Sequence, residues 1–127
     1  METITTSVKV CGKKRCRKVR AKIDTGAFGT IIPQSMADAA GLEPTGRYGS
    51  ASGVGNKRVR LHEAEATICL PGKCRCRKQK VYIADDNALH GEMLIGMDYL
   101  SAMSAAVSAK TGKVSCGRAG RKGPKGR

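Results

Sequence analysis

Residues 21–33, Ala-Lys-Ile-Asp-Thr-Gly-Ala-Phe-Gly-Thr-Ile-Ile-Pro, constrain the fold more than any other stretch of the chain. They predict a strand that runs into a tight acidic turn, then a short apolar strand that Pro33 stops. Asp24 is the only carboxylate between Glu2 and Asp38. It lies between Ile23 and Thr25-Gly26, at a strand end and not within a polar surface run. A capped turn between two strands would account for three such residues by itself. The meaning of Asp24 therefore depends on what the rest of the chain places around it.

The 127 residues suffice for one domain with a modest core. With no Trp and a single Phe, that core must be built from Val, Ile, Leu, Met and Ala. No apolar run approaches the length of a bilayer span. The first residues lack the basic start and apolar stretch of a signal peptide, so the expected location is intracellular and cytoplasmic. Charge is strongly positive, 24 Lys+Arg against 10 Asp+Glu. Eight basic residues lie in 9–22, five in 73–80 and five in 118–127. A field of this sign attracts nucleic acid, an anionic membrane or acidic protein segments, although solvated basic loops would give the same composition. The last ten residues carry Gly, Pro and bare charge with nothing to bury, and are expected to be a disordered tail after a domain over 1–117.

Six cysteines, Cys11, Cys16, Cys69, Cys74, Cys76 and Cys116, leave three possibilities open. Free thiols or one disulfide between two hairpins fit an intracellular chain. A zinc site is the alternative, but neither Cys11-x4-Cys16 nor Cys74-x-Cys76 has the Cys-x2-Cys spacing of a zinc knuckle, and no metal site is expected.

In order, residues 5–10 and 15–23 read as a hairpin about Cys11-Gly12-Lys13-Lys14, with Val19, Ala21 and Ile23 inward and the basic parity outward. It delivers Asp24 at its end. Residues 34–40 predict a short helix capped by Gly41, with Leu42 as the apolar contact after the cap. Residues 43–49 read as a turn-rich connection. Residues 48–61 place small residues and glycines between two strand-like arms. This predicts a flexible hairpin tip; a phosphate-cradling loop is also possible, although the glycine spacing matches no nucleotide fingerprint. Residues 64–70 alternate, with Ala64, Ala66, Ile68 and Leu70 on one face. Residues 74–78 read as a projecting basic arm and 80–84 as the return strand, ended by Asp85-Asp86-Asn87. Leu94-Ile95 runs into Gly96 and a helix that continues through Met103. Residues 107–116 close as a small hairpin.

This order of a basic hairpin, Asp24-Thr25-Gly26-Ala27, an apolar strand, a short helix, a Gly-rich hairpin and a later apolar-apolar-Gly before a helix resembles the retropepsin-like aspartic proteases over most of residues 5–116. The resemblance implies an all-β, barrel-like fold with one or two short helices. It implies that Asp24 is the catalytic aspartate, with Thr25 bracing the loop, and Gly26 and Ala27 completing it. Ser50, Ala51, Ser52, Gly53, Val54 and Gly55 would form the flap over substrate, and Leu94, Ile95 and Gly96 would support the active loop. The string Ile95-Gly96-Met97-Asp98-Tyr99-Leu100 is more similar to cellular and bacterial members than to retroviral ones. Retroviral members usually place Asp where this chain has Phe28, and Arg where it has Met97. In this family two carboxylates share one proton, and their titration belongs to the pair. No second Asp-Thr-Gly or Asp-Ser-Gly occurs, so the resemblance implies a homodimeric endopeptidase acting on peptides without a cofactor. Residues near 3–8 and 113–116 would form the dimer sheet. A non-proteolytic module on the same fold, holding nucleic acid or an acidic partner through its basic arms, is the alternative.

Overall fold

The computed structural model describes residues 4–52, 58–71, 74–108 and 113–117. Two long strands, β1 (Ile4–Cys11) and β2 (Cys16–Ile23), form the expected hairpin. A short strand β3 (Ile31–Pro33) leads into helix α1 (Gln34–Ala40). Then come β4 (Pro44–Ser52), β5 (Arg58–Cys69), β6 (Arg77–Ala84), helix α2 (Asp86–Leu89), β7 (Met93–Ile95), helix α3 (Met97–Ala102), β8 (Ala105–Ser108) and β9 (Lys113–Cys116).

The strands close into a barrel. The order β1-β2-β7-β3-β6-β5 returns on itself because β1 also pairs with β5, through Lys9–Cys69, Val10–Ile68 and Cys11–Thr67. Closure removes the open edges that an aliphatic sheet would otherwise expose. Strand β4 hangs from β5 outside the ring, and β8 with β9 makes a separate two-stranded sheet. Period-two patterning explains which side chains fill the interior. Val8 and Val10 from β1, Ala21 and Ile23 from β2, and Ala64, Ala66 and Ile68 from β5 are buried, with Val81 and Ile83 from β6 and Met93 and Ile95 from β7. Each large aliphatic residue so buried contributes about 1.5–3 kcal/mol. Tyr99, Leu100 and Met103, in and just after α3, join the same buried cluster.

Helix α1 ends as its sequence predicts. Gly41 takes φ 71°, the left-handed region that favours glycine. The Leu42 N–H donates to the Ala37 carbonyl at 2.9 Å, the six-to-one bond of a Schellman cap.

Four sequence expectations need correction. Residues 43–49 are not a turn-rich connection but the start of β4. A register shift between Pro44 and Tyr48, with Gly46 at φ 96°, hides the strand from period-two reading. The basic arm does not project, since Arg77 and Lys78 pair with Ile68 and Thr67 within the barrel. Asp85-Asp86-Asn87 ends β6 but also opens the one-turn helix α2.

The fourth correction concerns the thiols, none of which is free. Cys11 bonds Cys16, Cys69 bonds Cys76, and Cys74 bonds Cys116. Cys11 and Cys16 are cross-strand partners in the register of β1 and β2, which is why four residues separate them. No bridge joins the two hairpins, and no thiolate is left for zinc. Disulfides of this density belong to oxidising compartments or to hyperthermophiles, so the free thiols that followed from an expected cytoplasmic location are not what the chain holds. Among the described residues no helix is long and apolar enough to cross a membrane. The expected basic tail, 118–127, lies outside the described residues.

Candidate active site

Asp24 stands where β2 leaves the barrel. Its parallel neighbour β7 is aligned Ile23 to Ile95, and the Asp24 N–H extends the ladder one step by donating to the Ile95 carbonyl at 2.9 Å. The chain then turns tightly. The Gly26 N–H donates to Asp24 Oδ1 at 2.9 Å, and the Ala27 N–H donates to the Asp24 carbonyl at 3.2 Å. This is an Asx turn, the bland form the triplet takes on local grounds. The half-buried Asp24 keeps Oδ2 without a partner among the described residues.

What lies under the turn is less ordinary. A Cβ on Gly96 would stand 2.4 Å from the Gly29 carbonyl oxygen and 2.9 Å from that of Ala27, so only glycine permits the loop to rest there. Helix α3 begins at this point with no side-chain cap. Its first N–H groups are satisfied by the loop itself: Met97 donates to the Ala27 carbonyl at 2.7 Å, and Asp98 to that of Phe28 at 2.9 Å. The Gly96 N–H donates to Thr30 Oγ1 at 3.2 Å. Leu94 and Ile95 belong to β7, Leu94 opposite Ile31 of β3; Ile95 meets the loop through the Asp24 N–H and Gly96 through its close approach to Gly29.

The carboxylate of Asp98 locks the far end of the loop. It accepts from the Thr30 N–H at 3.0 Å, the Thr30 hydroxyl at 2.7 Å, Gln79 Nε2 at 2.9 Å and the Tyr99 N–H at 2.7 Å. Thr30 and Gln79 are both buried. Sequence reasoning missed this cluster of Thr30, Gln79 and Asp98. The available signal was an acid in the first turn of a helix, where it complements the helix dipole. Tyr99 donates its hydroxyl to the Arg75 carbonyl at 2.8 Å, and burial pushes that hydroxyl's pKa up, so it stays a donor through the neutral range.

Thr25 and Gly26 are exposed, and among the described residues nothing hydrogen-bonds the Thr25 hydroxyl. Phe28 is 92% exposed, the most open large apolar side chain described. Beside it a cavity of about 320 Å³ is lined by Phe28, Gly29, Arg77, Gln79, Lys80, Tyr82 and Asp98. A second cavity of about 350 Å³, between the β1–β2 turn and Leu42, is remote from Asp24 in the fold.

Of the expected flap, Ser50, Ala51 and Ser52 end β4, opposite Arg60, Val59 and Arg58 of β5. Gly53, Val54 and Gly55 lie outside the described residues. On the same arm, Tyr48 packs edge-on against His62, with ring centroids 4.9 Å apart, and the Arg60 guanidinium lies 5.2 Å from the Tyr48 ring centre. Such contacts stiffen a strand pair that has no sheet behind it.

A closed barrel of short strands that brings Asp-Thr-Gly to rest on an apolar-apolar-Gly segment is the architecture of the retropepsin-like aspartic proteases. Two solved structures share the fold. One is the retroviral protease-like domain of Ddi1 from Leishmania major, with a TM-score of 0.62 and 19% identity over 92% of this chain and 91% of that one. The other is the protease of EIAV in complex with the inhibitor HBY-793, with a TM-score of 0.57 and 21% identity over 84% of this chain and 93% of that one. No curated protein matches the sequence. The family model described as "gag-polyprotein putative aspartyl protease" matches residues 10–102, and the chain belongs to that family.

Proposed function

We propose that this chain is one half of an aspartic endopeptidase, active as a homodimer in which Asp24 of each subunit forms the catalytic dyad. The observation that carries this reading is the setting of Asp24. One carboxylate oxygen is pinned by the Gly26 N–H, and the other has no partner within the described chain. Hydrolysis by this route requires one carboxylate as base toward a water and a second as acid toward the peptide carbonyl. This chain supplies one such loop, so a two-fold axis has to supply the other. The exposed Thr25 and Gly26 suit a position at that axis, where the Thr25 hydroxyl finds its bracing partner on the second subunit.

Strand edges suited to the pairing are present. Among the described residues, Ile4–Val8 of β1 pairs with β2 alone, because β5 reaches β1 at Lys9–Cys11. Among the same residues, strands β8 and β9 pair with each other alone. The peptide then lies between the loop and the β4–β5 arms, with Ser50, Ala51 and Ser52 on the covering side.

The test pairs a mutation with dilution. Asp24→Asn abolishes cleavage of a peptide mixture and leaves the melting temperature within a few degrees. Wild-type specific activity falls as the protein is diluted through the dimer dissociation constant. Wild-type turnover by Asp24→Asn, or a concentration-independent specific activity from a demonstrated monomer, overturns the reading.

A further inference from the structure

The barrel handles its cations in two different ways. On the outward face of β6, Lys80 stands opposite Glu65 in the register, and Lys78 Nζ reaches Glu65 Oε1 at 3.8 Å. Lys80 Nζ in turn reaches Glu63 Oε1 at 3.7 Å. Each of these lysines therefore has a carboxylate on the neighbouring strand.

The β1–β2 hairpin does the opposite. Lys9 stands directly opposite Lys18, and Arg20 directly opposite Ser7. Like charges placed opposite one another weaken a strand pair. All three side chains are exposed, and among the described residues none of them forms an ion pair. The Arg20 guanidinium reaches only the Thr5 hydroxyl, at 3.4 Å. Glu92, just before the neighbouring β7, is held by Lys22 at 3.2 Å. The three cations lie within one patch. Lys18 and Arg20 are about 6.7 Å apart along the strand, and Lys9 is about 5 Å across from Lys18. The Cys11–Cys16 bridge closes the hairpin just beyond them, so the patch is presented on a rigid ribbon.

We propose that this outward face of β1 and β2, centred on Lys9, Lys18 and Arg20 with Ser7 beside them, binds the phosphate backbone of nucleic acid. The ligand chemistry follows from what the face contains. It offers ammonium and guanidinium donors and a hydroxyl, which contact phosphate oxygens, and it has no aromatic side chain on which a base could stack. Binding of this kind is sequence-independent and draws its free energy from release of counterions held along the phosphates. An acidic peptide whose carboxylates are spaced by neutral residues has a lower linear charge density, condenses few counterions and gains correspondingly less. This site is independent of the Asp24 loop and remains whether or not the chain cleaves peptides.

The experiment uses the full chain and a short labelled single-stranded RNA of mixed sequence, followed by fluorescence anisotropy from about 50 to 200 mM salt. Affinity falls linearly in log–log form, with about 0.7 of slope per phosphate contact, so Lys9→Gln/Lys18→Gln/Arg20→Gln flattens the slope by about 2. Lys78→Gln/Lys80→Gln, which removes cations already paired with Glu65 and Glu63, leaves the slope unchanged. A peptide of glutamates spaced by Gly-Ser, at matched total charge, fails to displace the RNA. If circular dichroism shows that the triple variant is unfolded, Lys18→Gln alone is expected to flatten the slope by about 0.7. An unaltered slope in a folded variant overturns the site. So does displacement by the spaced acidic peptide as effective as by unlabelled RNA, or loss of all binding on deletion of residues 118–127, which would place the site in the tail.

Discussion

At the scale of single residues, the active loop depends on an absence. Gly96 has an ordinary φ of −100°, so its requirement for glycine is not conformational. It arises because the Gly29 and Ala27 carbonyls occupy the space a side chain would need. Gly96→Ala must push the loop away from α3, which also lengthens the bonds from the Met97 and Asp98 N–H groups. We expect a loss of about 1–3 kcal/mol, the usual cost of overpacking a close contact, measured as a lower denaturation midpoint. Peptide cleavage should fall further than stability, since Asp24 sits on the displaced segment. Gly29 makes a milder case of the same kind: its Cβ would come 3.1 Å from the Tyr82 ring. Phe28 shows the reverse situation, a large side chain with almost nothing against it.

At the scale of elements, helix α1 is completed by a residue far away in sequence. Its N-cap is Pro33, which offers no side-chain acceptor. The missing acceptor is Asp86 of α2, which takes hydrogen bonds from the Ser35 hydroxyl and from the Ser35 N–H, the latter at 2.9 Å. Those bonds, the hydroxyl's above all, hold the Asp86 carboxyl below its ordinary pKa. A carboxylate depressed in the folded state stabilises above its unfolded pKa and loses that contribution as pH falls through the folded one. Ser35→Ala should therefore melt below wild type at neutral pH, and the two melting curves should converge as pH drops below about 4. Non-convergence would show that packing, not the carboxylate, makes the difference.

The same helix shows how far the sequence could be read. Its span and its Gly41 cap were legible because both are local, a 3.6-residue pattern closed by glycine. Its N-terminal cap was not, because the acceptor comes from another element. The Asp24 turn divides in the same way. The Asp-Thr-Gly-Ala loop and its Leu94-Ile95-Gly96 support could be recognised as motifs, whereas Thr30, Gln79 and Asp98 meet only in the folded barrel. The first half of β4, before Tyr48, was missed because a bulge breaks its alternation, and the disulfides were missed because compartment was judged before geometry.

At the scale of the whole molecule, the Cys74–Cys116 bridge spans 42 residues and ties the sheet of β8 and β9 to the loop between β5 and β6. Among the described residues that sheet lies outside the ring and shares no strand pairing with it. Closing so long a loop constrains the unfolded chain much more than either of the short bridges does. Cys74→Ser/Cys116→Ser should cost about 2–4 kcal/mol, read from chemical denaturation. Under the proposed function it should also weaken the dimer, because the edge strand loses its anchor; a variant of unchanged stability would show that the hairpin is held by packing alone.

These bridges also bear on how the protein can be made. Six thiols can pair in about fifteen ways, but the native set contains two partners that are near in sequence, separated by 5 and 7 residues. Chance encounter closes such short loops early. For Cys11 and Cys16 the hairpin register directs the choice. For Cys69 the guide is the β5–β6 register, in which Ile68 faces Arg77 and Cys76 comes next, but until those strands pair Cys74 lies closer to Cys69 in the chain than Cys76 does. Capture of Cys74 would strand Cys76 with Cys116 as its only mate, giving an isomer with every thiol oxidised and the terminal hairpin moored two residues out of place. A preparation can thus pass every assay for free sulfhydryls and still be a mixture.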